Sequence, residues 1–192
     1  MRFGDLITEH EWQESFKKTD ELRCVAAHKQ WEECIANIDT RQTMQDLADL
    51  EPDNTLLPVK EYAMAVNESV NRCLHYVHED GKDFWQTPST SYTIREGDCE
   101  DFAILKWWIL NEGTDLLPQY LRIVAMKAIP NDWDDHMICV FRDPISGIWY
   151  ALDNNFDYLA RMDNFTFYKP VYSLSYDSKR KEPMYWTHRE QG

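Results

Sequence analysis

The sequence predicts an α+β protein, with an N-terminal helical part packed on a mostly antiparallel sheet. Two observations carry that prediction. Helical spacing of apolar residues dominates up to about residue 113, and strand-like runs dominate from Leu121 onward. This segregation separates α+β from an alternating βαβ order. The last two strand-like runs are joined by Asp143-Pro144-Ile145-Ser146-Gly147, which reads as a hairpin turn. At 192 residues, 43% hydrophobic and 14% aromatic, the chain is long enough for one sizeable core and cramped for two domains.

Residues 1–57 read as a helical extension rich in Glu, Lys and Gln, with Leu22, Val25, Ala26, Ile35 and Ile38 at loose helical spacing. Glu51-Pro52-Asp53-Asn54 is a turn, and Pro58 suits the first turn of the next helix. That helix carries Val59, Tyr62, Ala63, Val66, Val70, Cys73 and Val77 on one side and ends at Asp80-Gly81. His75 and His78 lie three apart near its end; without a third ligand they read as a surface pair rather than a metal site. Trp85 to Thr90 reads as a loop. Asp98 then serves as N-cap, Asp101 stands three later as in an imperfect capping box, and Gly113 closes the helix in a left-handed cap. Cys99 falls in that helix's first turn. Strands are predicted over 121–129, 136–142 and 148–154. The chain divides into the 1–57 extension, a 58–176 core and a 177–192 tail, with no internal repeat and no linker.

Lys plus Arg number 20 against 34 for Asp plus Glu, a formal charge of -14. Such a surface repels phosphate backbones and anionic lipid, so nucleic acid is not an expected partner. No run reaches the ~18 apolar residues of a membrane helix, and no membrane insertion is expected. Met1 to Glu14 contains no apolar h-region, so no signal peptide is visible. Five unclustered cysteines, Cys24, Cys34, Cys73, Cys99 and Cys139, indicate neither a zinc site nor a disulfide framework.

Cys99 is singled out by position, because a helix N-terminus lowers a thiol pKa. The adjacent Glu100 and Asp101 oppose that effect unless a cation offsets them. A hairpin turning at 143–147 places His136 and Asp153 opposite one another or diagonal by two, with both side chains on one sheet face. Asp153 then orients the imidazole, and the other ring nitrogen faces Cys99 if the Cys helix packs on that face. The bland alternatives are a buried apolar cysteine and a strand-end histidine.

Gly97-Asp98-Cys99-Glu100-Asp101-Phe102-Ala103-Ile104-Leu105-Lys106 is preceded by Trp85-Gln86-Thr87-Pro88. It is followed by Leu121-Arg122, His136-Met137, Leu152-Asp153-Asn154 and Pro170-Val171-Tyr172-Ser173. In order and spacing this set, over residues 60 to 176, resembles the bacterial transglutaminase-like cysteine proteinases of the LapG type. The resemblance implies a papain-like or transglutaminase-like fold, with Cys99 as nucleophile, His136 as base and Asp153 as orienting group. It implies an oxyanion hole made of the Cys99 N–H and a donor from Trp85 or Gln86. It also implies calcium dependence, with Asp98 and Glu100 at the positions where the family binds the ion. Asp101, Asp132, Asp134 and Asp135 are candidates to complete the shell; without the ion, Asp98 and Glu100 are simply an N-cap and a favourable first-turn charge.

Relatives of this type trim large surface adhesins in the periplasm near paired small residues, which implies an adhesin-like protein substrate and a membrane-bound regulator. The missing export signal leaves the compartment open between periplasm, cytoplasm and a phage particle. Three functions stand: a calcium-dependent cysteine endopeptidase, a transglutaminase or amidase passing the same thioester to another acceptor, and a virion-associated structural or binding component that keeps the fold.

Overall fold

The computed structural model describes residues 18–50, 57–78, 84–128, 135–165 and 168–188. The helices come first: α1 (Lys18–Ala36), α2 (Thr40–Asp46), α3 (Val59–Cys73), α4 (Pro88–Ile94) and α5 (Cys99–Gly113). Among them the two-residue strands β1 (His75–Tyr76) and β2 (Glu96–Gly97) pair in parallel. The chain then builds β3 (Leu121–Ala128), β4 (Asp135–Arg142), β5 (Trp149–Leu152), β6 (Ala160–Arg161), β7 (Tyr168–Asp177) and β8 (Glu182–Thr187). These six form an antiparallel sheet in the order β6-β5-β4-β3-β7-β8. The architecture is α+β, as expected.

Strand alternation divides the apolar side chains between two faces. Leu121, Ile123, Met137, Cys139, Phe141, Tyr150 and Leu152 share the main core with α5, which is buried without a break from Glu100 to Leu110. Val124, Met126, Ile138, Val140, Trp149 and Ala151 line the other face with Met162. The N-terminal part belongs to the main core: Trp31 of α1 is fully buried, sits edge-on to Trp107 at 4.9 Å, and donates its indole N–H to Ser175 O at 3.0 Å. No helix among the described residues is long and apolar enough to cross a membrane.

Several local expectations change. The third helix stops at Cys73, because the backbone pairs elsewhere: His75 N–H donates to Arg95 O at 2.8 Å and Val77 N–H to Gly97 O at 3.0 Å. Val77 is consequently exposed, and His75 and His78 lie on an extended, exposed segment without helical spacing. Asp80-Gly81 and Glu51 to Asn54 lie outside the described residues. The segment read as a loop contains α4, capped by Thr87, whose Oγ1 accepts the Thr90 N–H at 3.3 Å, with Pro88 as the first helical residue.

Gly113 stays inside α5 and the C-cap is Thr114, in extended conformation. Glycine is needed there for a different reason: a Cβ would lie 2.2 Å from Tyr62 Oη, so α3 and α5 approach too closely for a side chain. The segment read as a tail contributes β8, paired with β7 over six residues. The predicted strands appear at 121–128, 135–142 and 149–152, so Asp153 lies just beyond the end of β5.

Candidate active site

The start of α5 is cross-braced. Asp98 and Asp101 form a capping box in both directions, with the Asp98 N–H donating to Asp101 Oδ2 at 3.3 Å. Asp101 Oδ1 accepts the Gln86 N–H at 2.8 Å, tying the segment before α4 to the helix. Asp101 therefore receives backbone donors on both oxygens, an arrangement that makes it a structural brace. Gly97 permits it, since a Cβ at that position would lie 2.7 Å from Asp101 Cβ. Cys99 becomes the first residue of α5, where its N–H has no intrahelical acceptor and the helix dipole favours negative charge.

On the strand side, Leu152 is the last residue of β5 and pairs with Cys139, whereas β4 continues back to Asp135. β4 therefore runs on past the end of β5, and the Met137 N–H lies near enough to the Cys99 sulfur to favour its ionised form. His136 is the preceding residue. By alternation it shares a face with its β3 partner Met126, while Met137 faces α5. The Cys helix thus does not pack on the His136 face, the condition attached to the register argument. The sulfur reaches the strand at its edge instead.

The β4–β5 register leaves Asp153 diagonal to His136, and His136 Nε2 lies 2.9 Å from Asp153 Oδ1. The imidazole also rests beside Tyr168, with ring centroids 5.5 Å apart. Asp153 is 1% exposed and also accepts the Asn155 N–H at 2.9 Å, while Asn71 holds its carbonyl at 3.0 Å. Burial alone would raise this carboxyl. The hydrogen bond and charge of His136, the Asn155 N–H and the charge of Lys106 outweigh it and hold the pKa below the usual carboxylate range.

The Cys99 thiol is raised, first by burial, then by the Glu100 charge and by donating its S–H to Glu100 Oε2 at 3.2 Å, with a smaller push from Asp98; the Met137 N–H opposes these. The hydrogen bond of the thiol runs to Glu100 and not to His136. The structure therefore joins His136 to Asp153 directly and sets Cys99 one peptide away. The phenol of Tyr76 is raised by burial and then by Cys99, Asp98 and Glu100, and this side chain is half-exposed.

Of the oxyanion candidates, Trp85 is packed in the main core, and the Gln86 backbone N–H is committed to Asp101. The Gln86 side-chain amide is what that residue retains, and it is buried.

Asp98 and Glu100 are buried at 8% and 7% exposure and offer only oxygen ligands, which suits a hard cation. They are two of the six to eight oxygens that calcium takes. Among the described residues no three metal-ligating side chains cluster. Asp132 and Asp134 lie outside the described residues, as does the Asp135 side chain, so backbone carbonyls, water and that segment are the remaining sources. Asn155, Asn71, Tyr76 and Lys106 escaped the sequence reading. Of these only Asn155 had a local signal, as an Asx-type donor two residues after Asp153.

The architecture is the fold of LapG. Calcium-bound LapG of Legionella pneumophila matches with a TM-score of 0.62 at 24% identity, covering 86% of this chain and 89% of that one. An EGTA-treated form matches with a TM-score of 0.59 at 24% identity, covering 80% of this chain and 90% of that one. At such identity the likeness is one of fold. No protein-family model and no curated protein matches the chain.

Proposed function

We propose that this chain is a calcium-dependent cysteine endopeptidase, with Cys99 as nucleophile, His136 as base and Asp153 as its orienting group. The observation that carries the reading lies beyond the end of β5, where a helix-start cysteine meets the strand of a histidine already hydrogen-bonded to a buried aspartate at 2.9 Å. His136 Nε2 is occupied by Asp153, which leaves Nδ1 for the thiol proton. The thiolate attacks a peptide carbonyl and His136 protonates the leaving amine. Water then hydrolyses the thioester with His136 as base. The Cys99 N–H and the Gln86 side-chain amide serve as oxyanion donors.

Asp98 and Glu100 are the proposed calcium ligands. The ion, when bound, supplies positive charge that offsets the carboxylates beside the thiol. The calcium-bound and EGTA-treated forms of the Legionella protein support this choice of metal. By the same resemblance the substrate is an adhesin-like protein acted on in the periplasm, with a membrane-bound regulator as a further partner.

The test incubates the purified chain, its Cys99→Ala variant and chelator-treated protein with an adhesin-type protein carrying paired small residues. Mass spectrometry should find new termini only with the calcium-loaded wild type. Cross-linked or amidated product would instead identify the acyl-transfer alternative, and cleavage by Cys99→Ala would reject the assignment. Labelling of Cys99 by a thiol probe no faster than that of Cys139 would favour the non-catalytic component.

A further inference from the structure

Lys106 lies seven residues after Cys99 on α5, two turns along the same helix face, and is fully buried. Its Nζ has no hydrogen-bond partner among the described residues. A lone buried ammonium is costly, and such groups persist where a counter-charge or ordered water meets them. The charged groups that act on it come from the loop after β5 and from β4. Asp153 and Asp157, in the loop after β5, and Cys139 on β4 all favour its charged form, and the Phe102 ring of its own helix lies 5.7 Å away. Burial opposes these and is the larger influence, bringing the ammonium down to about 7.

The partner on the other side is equally incomplete. Asp153 uses Oδ1 for His136 and Asn155, whereas its Oδ2 is buried with no hydrogen-bond partner among the described residues. The same loop is pinned to α3 by Asn67 and Asn71, which donate to Phe156 O at 2.6 and 3.0 Å. Their Oδ1 atoms are likewise buried and unpartnered. With Asn154 Oδ1 of the same loop, one donor and four acceptors on helices α3 and α5 and that loop are left over among the described residues. Buried polar atoms of this kind are normally joined directly or through a shared water.

We propose that Lys106 is a positioning residue: its buried ammonium is a counter-charge for the free oxygen of Asp153 and, with His136 and the Asn155 N–H, favours the ionised carboxylate whose other oxygen holds His136. The proposal rests on the peptidase reading for its consequence, but the charge pair stands without it. Replacing Lys106 by Met keeps the volume and removes the charge. Asp153 then loses one of the charges that favour its ionised form, and its Oδ1 becomes a weaker acceptor for His136 Nε2.

Two measurements test this on the full-length chain. Selective 15N NMR of lysine Nζ should find Lys106 titrating near neutral pH, with a midpoint at least one pH unit lower, a tenfold change, in Asp153→Asn. A midpoint unmoved by Asp153→Asn overturns the pair. Alkylation of Cys99 by iodoacetamide, with calcium present, should slow at least fivefold in Lys106→Met. If Cys99 outpaces Cys139 in the wild type but Lys106→Met reacts at the same rate, the positioning role fails while the peptidase reading survives. If Cys99 reacts no faster than Cys139 in the wild type, the peptidase reading fails, and the NMR result still decides the pair.

Discussion

Replacing Asp101 by Ala removes the acceptor of two backbone N–H groups at once, Gln86 at 2.8 Å and Asp98 at 3.3 Å, from a side chain with no solvent exposure. Hydrogen bonds to a charged acceptor contribute about 1.5–3 kcal/mol each, and the buried Gln86 N–H finds no water to replace the loss. The longer Asp98 contact counts at the low end, and release of a buried carboxylate offsets part of the sum. A net loss of about 3 kcal/mol is expected. For a domain of this size that lowers the thermal midpoint by about 6–12 °C. Asp101→Asn keeps one acceptor and should lose about half as much. Urea unfolding followed by tryptophan fluorescence measures both variants, and calcium titration of Asp101→Asn separates brace from ligand. A loss below about 1 kcal/mol for Ala would refute the bracing argument. So would a calcium affinity more than tenfold weaker for Asn, because a brace leaves the ion's own ligands in place.

Gly113→Ala forces a Cβ to within 2.2 Å of Tyr62 Oη and should cost about 1–3 kcal/mol, most of it recovered by adding Tyr62→Phe; an additive double variant in thermal melts argues against the clash. With calcium chelated, Glu100→Gln removes the charge and weakens the acceptor 3.2 Å from the Cys99 sulfur, so alkylation of Cys99 should quicken at least tenfold; an unchanged rate means Glu100 does not hold the thiol protonated. His188 is brought down to about 3 by burial, reinforced by Arg122, so between pH 6.5 and 3 the unfolded chain binds a proton that the folded chain does not. Its contribution is present above pH 6.5 and is lost on acidification, by about 2 kcal/mol between pH 7 and 5. His188→Gln should flatten that part of the urea-unfolding profile, and an unchanged slope contradicts the assignment.

What was legible in the sequence was local. Asp98, Cys99 and Asp101 announce a helix start within four residues, because capping chemistry is decided by immediate neighbours. The hairpin at 143–147 narrowed His136 and Asp153 to an opposite or a diagonal relation on one face, and the register makes it diagonal. α5 has no polar face to generate a 3.6-residue pattern, being buried from Glu100 to Leu110, so its N-terminal cap revealed it rather than its periodicity. What stayed hidden depends on distant packing. No local signal shows that β5 stops at Leu152 while β4 runs on to Asp135, yet that mismatch is where the Met137 N–H comes near the Cys99 sulfur. Nothing local marks Lys106 as buried; the charges that act on it, Asp153 and Asp157, come from about fifty residues further along the chain. Gly113 was assigned to a backbone conformation when the constraint was a tyrosine fifty-one residues upstream.

The acidic residues of the site fall into two groups whose difference bears on regulation. Asp101 and Asp153 act as cross-links: one gathers the N–H groups of Gln86 and Asp98, the other those of Asn155 and His136. Asp98 and Glu100 instead bear on the thiol itself, and both disfavour its ionisation. A helix start that favours a thiolate is thus opposed by two buried carboxylates beside the same sulfur. For a constitutively active thiol that opposition would be a pure handicap, since a neutral residue at position 100 would remove most of it. On the proposed reading it has a use: the charge that suppresses the nucleophile is also the charge that recruits a cation, so reactivity follows occupancy of the ion site. The expected signature is reciprocal. Calcium should accelerate Cys99 alkylation in the wild type and do little in Glu100→Gln, where the suppressing charge is already gone; equal acceleration in both would separate the ion from the thiol.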